Sequence, residues 1–383
     1  MSAVRPFRLD VPDATLDDIR RRVSAFPWQA MPRESGWTLG TDVTTMRELC
    51  DYWLDGFDWR AQETRINELT HHIVEIDGTD LHFIHEKGSG PAPMPLLLSH
   101  GWPGSIVEFL EIVEPLAHPE RFGGRVEDAF DVVAPSLPGF GFSAPPSAPM
   151  GPRGMARRFD TLMVDVLGLD GYLAQGGDWG GAISSWLGFE HAPRCRAIHL
   201  NIFTMRHPDG PQTPDESRWA ADFDRDQVME DGYRTQQATR PQTLAYAMAD
   251  SPVGVAAWIL EKFHAWSDLR ERTLFEVHDR DTLLTNIMLY LVTDTFGTAS
   301  WIYYGRREEG GRVLSPDGRR VEVPTALALF PEEMLAWPPR SYADRVYDVV
   351  RWSEMPRGGH FAALEEPALL IEDVRAFARG LRG

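Results

Sequence analysis

The sequence predicts an α/β fold: a mostly parallel sheet with helices on both faces, interrupted by a helical cap and preceded by a helical meander. Three observations carry this. Short apolar runs at residues 95–98, 130–135, 172–174 and 196–201 alternate with helix-like segments, as expected of strands covered on both faces. Between about residues 204 and 309 the strand signal gives way to aromatic, helical sequence. The run Gly176-Gly177-Asp178-Trp179-Gly180-Gly181 then joins the end of one apolar strand to the start of an apolar helix through a tight turn.

Taken in order, residues 1–70 read as the meander. Leu16, Ile19, Val23 and Phe26 recur at helical spacing behind Thr15 and Asp18, which look like a capping box. Val43, Met46, Leu49 and Trp53 repeat the period, and Pro27, Pro32, Gly36 and Gly40 separate the two helices. Residues 71–203 read as the first part of the sheet domain, opening with a hairpin through Ile73, Glu75 and Asp77, a turn at Gly78, then Leu81, Phe83 and His85. Residues 204–310 read as the cap. Residues 311–383 return to strands at 321–328 and 349–353 and close as a helix from Ala368 to Phe377.

Composition narrows the partners. With 383 residues and 43% hydrophobic content the chain buries a large core, and 38 − 57 gives a net charge of −19, which disfavours nucleic acid and anionic membranes. A neutral or apolar small molecule is the expected substrate. Two cysteines, Cys50 and Cys195, form neither a disulfide framework nor a metal-spaced cluster, which fits a reducing compartment. No stretch has the length of a signal peptide or a membrane span, which makes a cytoplasmic protein the expectation.

The chemistry starts at Asp178. In a strand–turn–helix elbow of the G-x-S-x-G kind, small residues let the chain fold back and hold one side chain at the head of the helix. Here that side chain is a carboxylate, whose charged, nucleophilic form is favoured by the unpaired N–H groups of the helix N-terminus. The alternative is an Asp N-cap in a glycine-rich turn. His100-Gly101-Trp102-Pro103-Gly104-Ser105 follows another strand at the same sheet edge, and nominates the Trp102 and Trp179 amides as an oxyanion hole. His360, in Gly358-Gly359-His360-Phe361, lies where a base must fall after the last strand. By order alone Glu332, Glu333, Asp344 and Asp348 all qualify as its orienting acid. Phenols suit a departing alkoxide, and the cap offers Tyr233, Tyr246, Tyr290, Tyr303 and Tyr304.

Together these segments resemble the epoxide hydrolase family of α/β-hydrolases, in the branch that contains the microsomal enzyme and its soluble fungal and bacterial relatives. The resemblance runs through Phe7 to Pro12, Phe26-Pro27-Trp28, His100 to Ser105, Pro138-Gly139-Phe140-Gly141-Phe142-Ser143, Gly176 to Gly180, Ser251-Pro252-Val253-Gly254, Ile259 to Phe263 and Arg357 to Ala363. It implies an α/β-hydrolase fold and Asp178 as nucleophile with His360 as base. Phe330-Pro331-Glu332-Glu333-Met334-Leu335 selects Glu333 as acid. The Gly-preceded Tyr233 becomes one oxygen donor, and a Ser-x-x-aromatic-Tyr segment, Ser300 to Tyr304, makes Tyr304 the other, with Tyr303 the near alternative. Gly305 departs from the family's usual larger polar residue, and the microsomal membrane anchor is absent. The implied reaction turns an epoxide into a vicinal diol through an ester on Asp178, without metal or cofactor. A homodimer follows from family analogy, and detoxification or secondary metabolism is the implied setting. Trp258, Phe263, Trp266, Phe296 and Trp301 suggest an aryl or extended apolar epoxide. Competing readings are a haloalkane dehalogenase using the same Asp, a catalytically silent ligand-binding relative, and a serine esterase through Ser143.

Overall fold

The computed structural model describes residues 3–31, 36–311 and 315–382, so Pro32 lies outside the described residues. One nine-stranded sheet organises the chain: β1 (Arg5–Phe7), β2 (His71–Ile76), β3 (Thr79–Glu86), β4 (Met94–Ser99), β5 (Phe130–Pro135), β6 (Tyr172–Gly176), β7 (Cys195–Leu200), β8 (Val321–Leu329) and β9 (Tyr347–Glu354). Their spatial order is β1-β2-β3-β5-β4-β6-β7-β8-β9. The first three pairings are antiparallel and the rest parallel. The runs Leu96 to Leu98, Val132 to Ala134 and Leu173-Ala174 are buried throughout, because helices cover both faces. The hairpin turns on Asp77 and Gly78, both at positive φ.

Two details depart from the sequence reading. The meander is not purely helical, since Arg5–Phe7 adds an edge strand to β2, with Arg5 opposite Ile73 and ion-paired to Asp80 at 2.9 Å. Three residues are too few to display a period of two. The helix Asp13–Ser24 begins earlier than the expected capping box and starts at Pro12 without a side-chain cap; Asp18 instead bonds Arg21 and Arg22 one turn on.

Between β7 and β8 the described residues form seven α-helices, the longest Pro214–Thr239, Pro252–Trp266 and Arg280–Val292. Pro214, Pro241 and Pro252 each start a helix, where a missing N–H costs nothing. The Ser251-Pro252-Val253-Gly254 segment is a helix start: Ser251 Oγ accepts from the Gly254 amide at 2.9 Å.

Sheet topology places the chemistry. The chain leaves β4 towards β5 but leaves β6 towards β7, so the carboxyl ends of these two adjacent strands flank the point where the winding direction reverses. Ser99 pairs with Gly176, which lays His100-Gly101 beside Gly177-Asp178. At the other side Leu329 pairs with Glu354, and a bridge of Glu332 to Gly359 brings Glu333 next to His360.

Candidate active site

Asp178 has φ +44°, left-handed backbone that a non-glycine residue adopts only when the surrounding structure enforces it. The enforcement is steric. A Cβ at Gly180 would run into the Ser99 carbonyl, and one at Gly176 into the Gly180 backbone, so the turn can close only with hydrogen at both positions. The helix Asp178–Glu190 follows, and the side chain of Asp178 stands at its head, 20% exposed. Across from it Gly101 leaves room for the carboxylate, and the Trp102 amide donates to Asp178 Oδ1 at 2.7 Å. The loop carrying that amide is clamped by the cap: Asn286 Nδ2 donates to the Pro103 carbonyl at 2.8 Å and Tyr290 to that of Gly104 at 2.6 Å. Trp179 enters the first turn of the helix, with its indole edge-on to Tyr303 at 4.7 Å.

His360 Nε2 lies 3.4 Å from Asp178 Oδ2, and its Nδ1 lies 2.9 and 3.0 Å from the two oxygens of Glu333. Both side chains are essentially buried, at 1% and 0% exposure. Burial disfavours the imidazolium, but Glu333 and Asp178 outweigh it and hold the proton affinity of His360 well above histidine's ordinary value. Of the four candidate acids only Glu333 reaches His360. Glu332 pairs with Arg270, Asp344 with Arg340 and Asp348 with Arg320.

The cap supplies two phenols, and one differs from the sequence expectation. Tyr233 lines the cavity, stacked on Trp102 at 5.1 Å with 11° between ring planes. Tyr303, 3% exposed, packs edge-on to Tyr233 at 5.7 Å and lines the same cavity above Asp178. Its hydroxyl makes no hydrogen bond of normal geometry, although Trp179 and Tyr233 lie close enough to bias it. Burial pushes both phenols above their ordinary range. Tyr304 is not brought to the site: it is half-buried, turned towards Arg307 and absent from the cavity wall. The reason is helical phase. Consecutive residues diverge by about 100°, and in the helix Trp301–Glu308 the buried residues are Ile302, Tyr303 and Gly305, which leaves Tyr304 half-buried on the neighbouring flank. Gly305 lets the helix Trp301–Glu308 cross the backbone of Met150-Gly151, where any Cβ would collide. Of the other cap phenols, Tyr246 is exposed, and Tyr290 is committed to Gly104.

A cavity of about 560 Å³ opens over these groups. Its inner wall includes Trp179, Ile202, Phe203, Met334 and Leu335, and its mouth carries Arg206, Arg234, Arg306 and Arg307 with Asp224 and Asp231. None of Trp258, Phe263, Trp266, Phe296 and Trp301 lines it. Phe263, Trp266 and Phe296 are core, and Trp258 bonds Gln237; they stabilise the cap rather than shape the pocket. Ser143 is structural too, buried and donating to the Ser136 carbonyl.

Two carboxyl groups escaped the sequence reading. Glu365 accepts from the amides of Asp268, Gly359 and Phe361 at 2.7, 2.9 and 2.9 Å, which shapes the loop carrying His360. The Trp266 carbonyl completes that loop by accepting the His360 amide at 2.9 Å. Glu108 fills the space that a side chain at Gly104 would need, and desolvation pushes its carboxyl up to about 8 beside His360 and Asp178. Nothing in the local pattern around either residue distinguishes it from a surface glutamate.

Known proteins resemble this chain along nearly its whole length. The family model described as epoxide hydrolase N terminus matches residues 4–109, and the one described as alpha/beta hydrolase fold matches 94–276. A Stigmatella aurantiaca protein whose name marks it as a candidate epoxide hydrolase is 37% identical over 99% of this chain and 86% of its own length. Epoxide hydrolase 1 of Sus scrofa is 34% identical over 98% of this chain and 88% of its own. The solved structure of Aspergillus niger epoxide hydrolase superposes with a TM-score of 0.84 at 30% identity, covering 99% of this chain and 96% of that one.

Proposed function

From the premise that this chain belongs to the epoxide hydrolase family of α/β-hydrolases, we propose that Asp178 opens the epoxide by forming an ester that His360 and water then cleave. One observation carries the reading. A carboxylate on a strained elbow, bonded by the Trp102 amide, faces His360 Nε2 at 3.4 Å beneath two cavity-lining phenols.

In the first half-reaction a carboxylate oxygen of Asp178 attacks an epoxide carbon, and the ring C–O bond breaks. Tyr233 and Tyr303 hydrogen-bond the departing oxygen, and one of them donates the proton that makes it a hydroxyl. The product is a hydroxyalkyl ester of Asp178. That step removes the carboxylate charge that helped raise the proton affinity of His360, so the imidazole is released to act as a base. In the second half-reaction His360, held by Glu333, takes a proton from water as the water oxygen adds to the ester carbonyl. The Trp102 and Trp179 amides hold the resulting oxyanion. Collapse breaks the acyl C–O bond and the proton on His360 goes to the leaving diol oxygen, while the remaining water proton on the regenerated Asp178 carboxyl is released to solvent, from which the tyrosine recovers its own. One epoxide and one water give one vicinal diol. Serine would form an ether at this position, which water does not readily cleave.

The substrate is proposed to be an epoxide with an apolar body. Support comes from the inner wall of Trp179, Ile202 and Phe203, not from the cap aromatics. A test uses intact-protein mass spectrometry of His360→Gln incubated with styrene oxide. Added mass of one epoxide, absent in Asp178→Asn, is the expected result. No adduct with a panel of epoxides, in folded protein whose parent also makes no diol, would overturn the reading. The described helices include none long and apolar enough to cross a membrane.

A further inference from the structure

Lysine is nearly absent from this chain, which carries its positive charge on arginine; the two exceptions are Lys87 and Lys262. Lys262 is 6% exposed, in the helix Pro252–Trp266. Its Nζ lies 3.1 Å from Glu230 Oε2 and 2.6 Å from Glu261 Oε2. The same Nζ stands over the face of Tyr233, 4.6 Å from the ring centroid. Trp102 is stacked on Tyr233 at 5.1 Å, and Trp266, which donates its indole N–H to Glu230 at 3.1 Å, touches Tyr233 at 5.4 Å and His360 at 5.0 Å.

We infer that Lys262 is a positioning residue for the oxygen donor, its ammonium placed against the π-face of Tyr233 to stabilise negative charge that the phenol takes up while bonded to the opening epoxide. The need for such a group follows from the surroundings. Burial and the Asp178 charge both disfavour negative charge on the Tyr233 oxygen and Glu230 adds to this, outweighing the opposing Tyr303 hydroxyl and Arg234. A cation on the ring face opposes them without occupying the substrate cavity, whose wall does not include Lys262. Lysine suits the task as a compact point charge, whereas a planar guanidinium is built for forked hydrogen bonding. Glu230 and Glu261 hold the ammonium where a solvated lysine would swing away. Glu230 is one helical turn before Tyr233, so the helix that carries the donor also carries the anchor of its cation.

This inference rests on the two-step reading above and predicts which step responds. Negative charge builds on the phenol as the epoxide opens, whereas the charge that develops in cleavage of the ester lies at the Trp102 and Trp179 amides. Lys262→Met keeps an unbranched chain of similar length and removes the cation. Single-turnover tryptophan fluorescence with styrene oxide should then show ester formation slowed about tenfold to thirtyfold, with ester hydrolysis unchanged. In a Tyr233→Phe background the same substitution should have no further effect on ester formation, because the group it serves is gone. Lys262→Arg should recover most of the rate. Glu230→Gln, which removes a counter-ion but keeps the cation, should leave ester formation equal or faster. Ester formation at the parent rate in Lys262→Met would overturn the inference, as would an equal slowing in the Tyr233→Phe background. So would Glu230→Gln as slow as Lys262→Met, since that result assigns Lys262 to helix pairing. If Lys262→Met does not fold, Glu230→Gln decides: ester formation at or above the parent rate is expected, and ester formation slowed about tenfold or more would overturn the inference. A parent that forms neither ester nor diol would instead sink the two-step reading itself.

Discussion

Replacing Tyr303 by Phe deletes one oxygen and leaves the ring in its contacts with Trp179 at 4.7 Å, Tyr233 at 5.7 Å and Trp102 at 5.8 Å. Packing is therefore preserved, and any loss reports the hydroxyl. That hydroxyl is buried and has no hydrogen bond of normal geometry in the resting site, with only Trp179 and Tyr233 close by, so the epoxide oxygen displaces no well-formed bond. Removing one preorganised donor from a developing oxyanion costs about 2.7–4 kcal/mol. At about 1.4 kcal/mol per decade this is a loss of roughly 10²–10³ in the rate of ester formation. Tyr233 remains as a second donor, which puts the expected loss at the lower end. Tyr304→Phe removes a hydroxyl that faces away from the cavity, and its rate should stay within about twofold of the parent, the scale of surface substitutions. The assay is single-turnover quenching of tryptophan fluorescence with styrene oxide, alongside steady-state diol formation. A larger loss in Tyr304→Phe than in Tyr303→Phe would refute the geometric argument and restore the motif-based choice.

Three further outcomes follow from buried groups. Asp373 accepts from His199 Nε2 at 3.0 Å and Arg351 Nε at 2.9 Å; burial alone would raise its carboxyl, but these partners hold it well below the usual range. Its stabilising contribution is thus present above the unfolded carboxyl pKa and lost as pH falls, so Asp373→Asn should cost about 3–5 kcal/mol in urea unfolding near neutral pH and less in acid; equal cost at both would refute this. Glu108 is shifted the other way, from 4.5 to about 8, so the folded state keeps a proton that the unfolded chain has released. Stability from this group is complete below about pH 4.5 and declines as pH rises towards 8, and urea titrations should show that decline weakened in Glu108→Gln. A parallel pH profile in the two proteins would contradict it. Gly180→Ala forces a Cβ into the Ser99 carbonyl, and differential scanning calorimetry should register destabilisation of at least about 1–3 kcal/mol, with no loss counting against the elbow geometry.

Much of the site was legible because its parts are set by local backbone demands. A side chain held at positive φ in this turn needs hydrogen at Gly176 and Gly180, and those demands are written consecutively around Asp178. Glu333 was harder. Four carboxylates satisfied chain order, and only the resemblance singled one out before the Glu332–Gly359 bridge brought it to His360. The edge strand Arg5–Phe7 and the helix start at Pro12 were missed because each depends on a distant partner: β2 for the strand, and the Glu63 carboxylate, which accepts the Val11 amide at 2.7 Å.

The sequence by itself determined the alternation of strands and helices, the insertion of the cap, the Asp178 elbow, the His360 loop and the family to which these belong. Those features are carried by periodicity and by glycine and proline at fixed positions, which act within a few residues. Tertiary structure alone decided that Tyr303 faces Asp178, that Lys262 lies over Tyr233, that Glu108 and Glu365 stand at the site, and that Phe263, Trp266 and Phe296 are core. Each of those depends on the phase of one helix against another element far away in sequence. A rotation of about 100° separates a cavity wall from an outer face, and only packing fixes it.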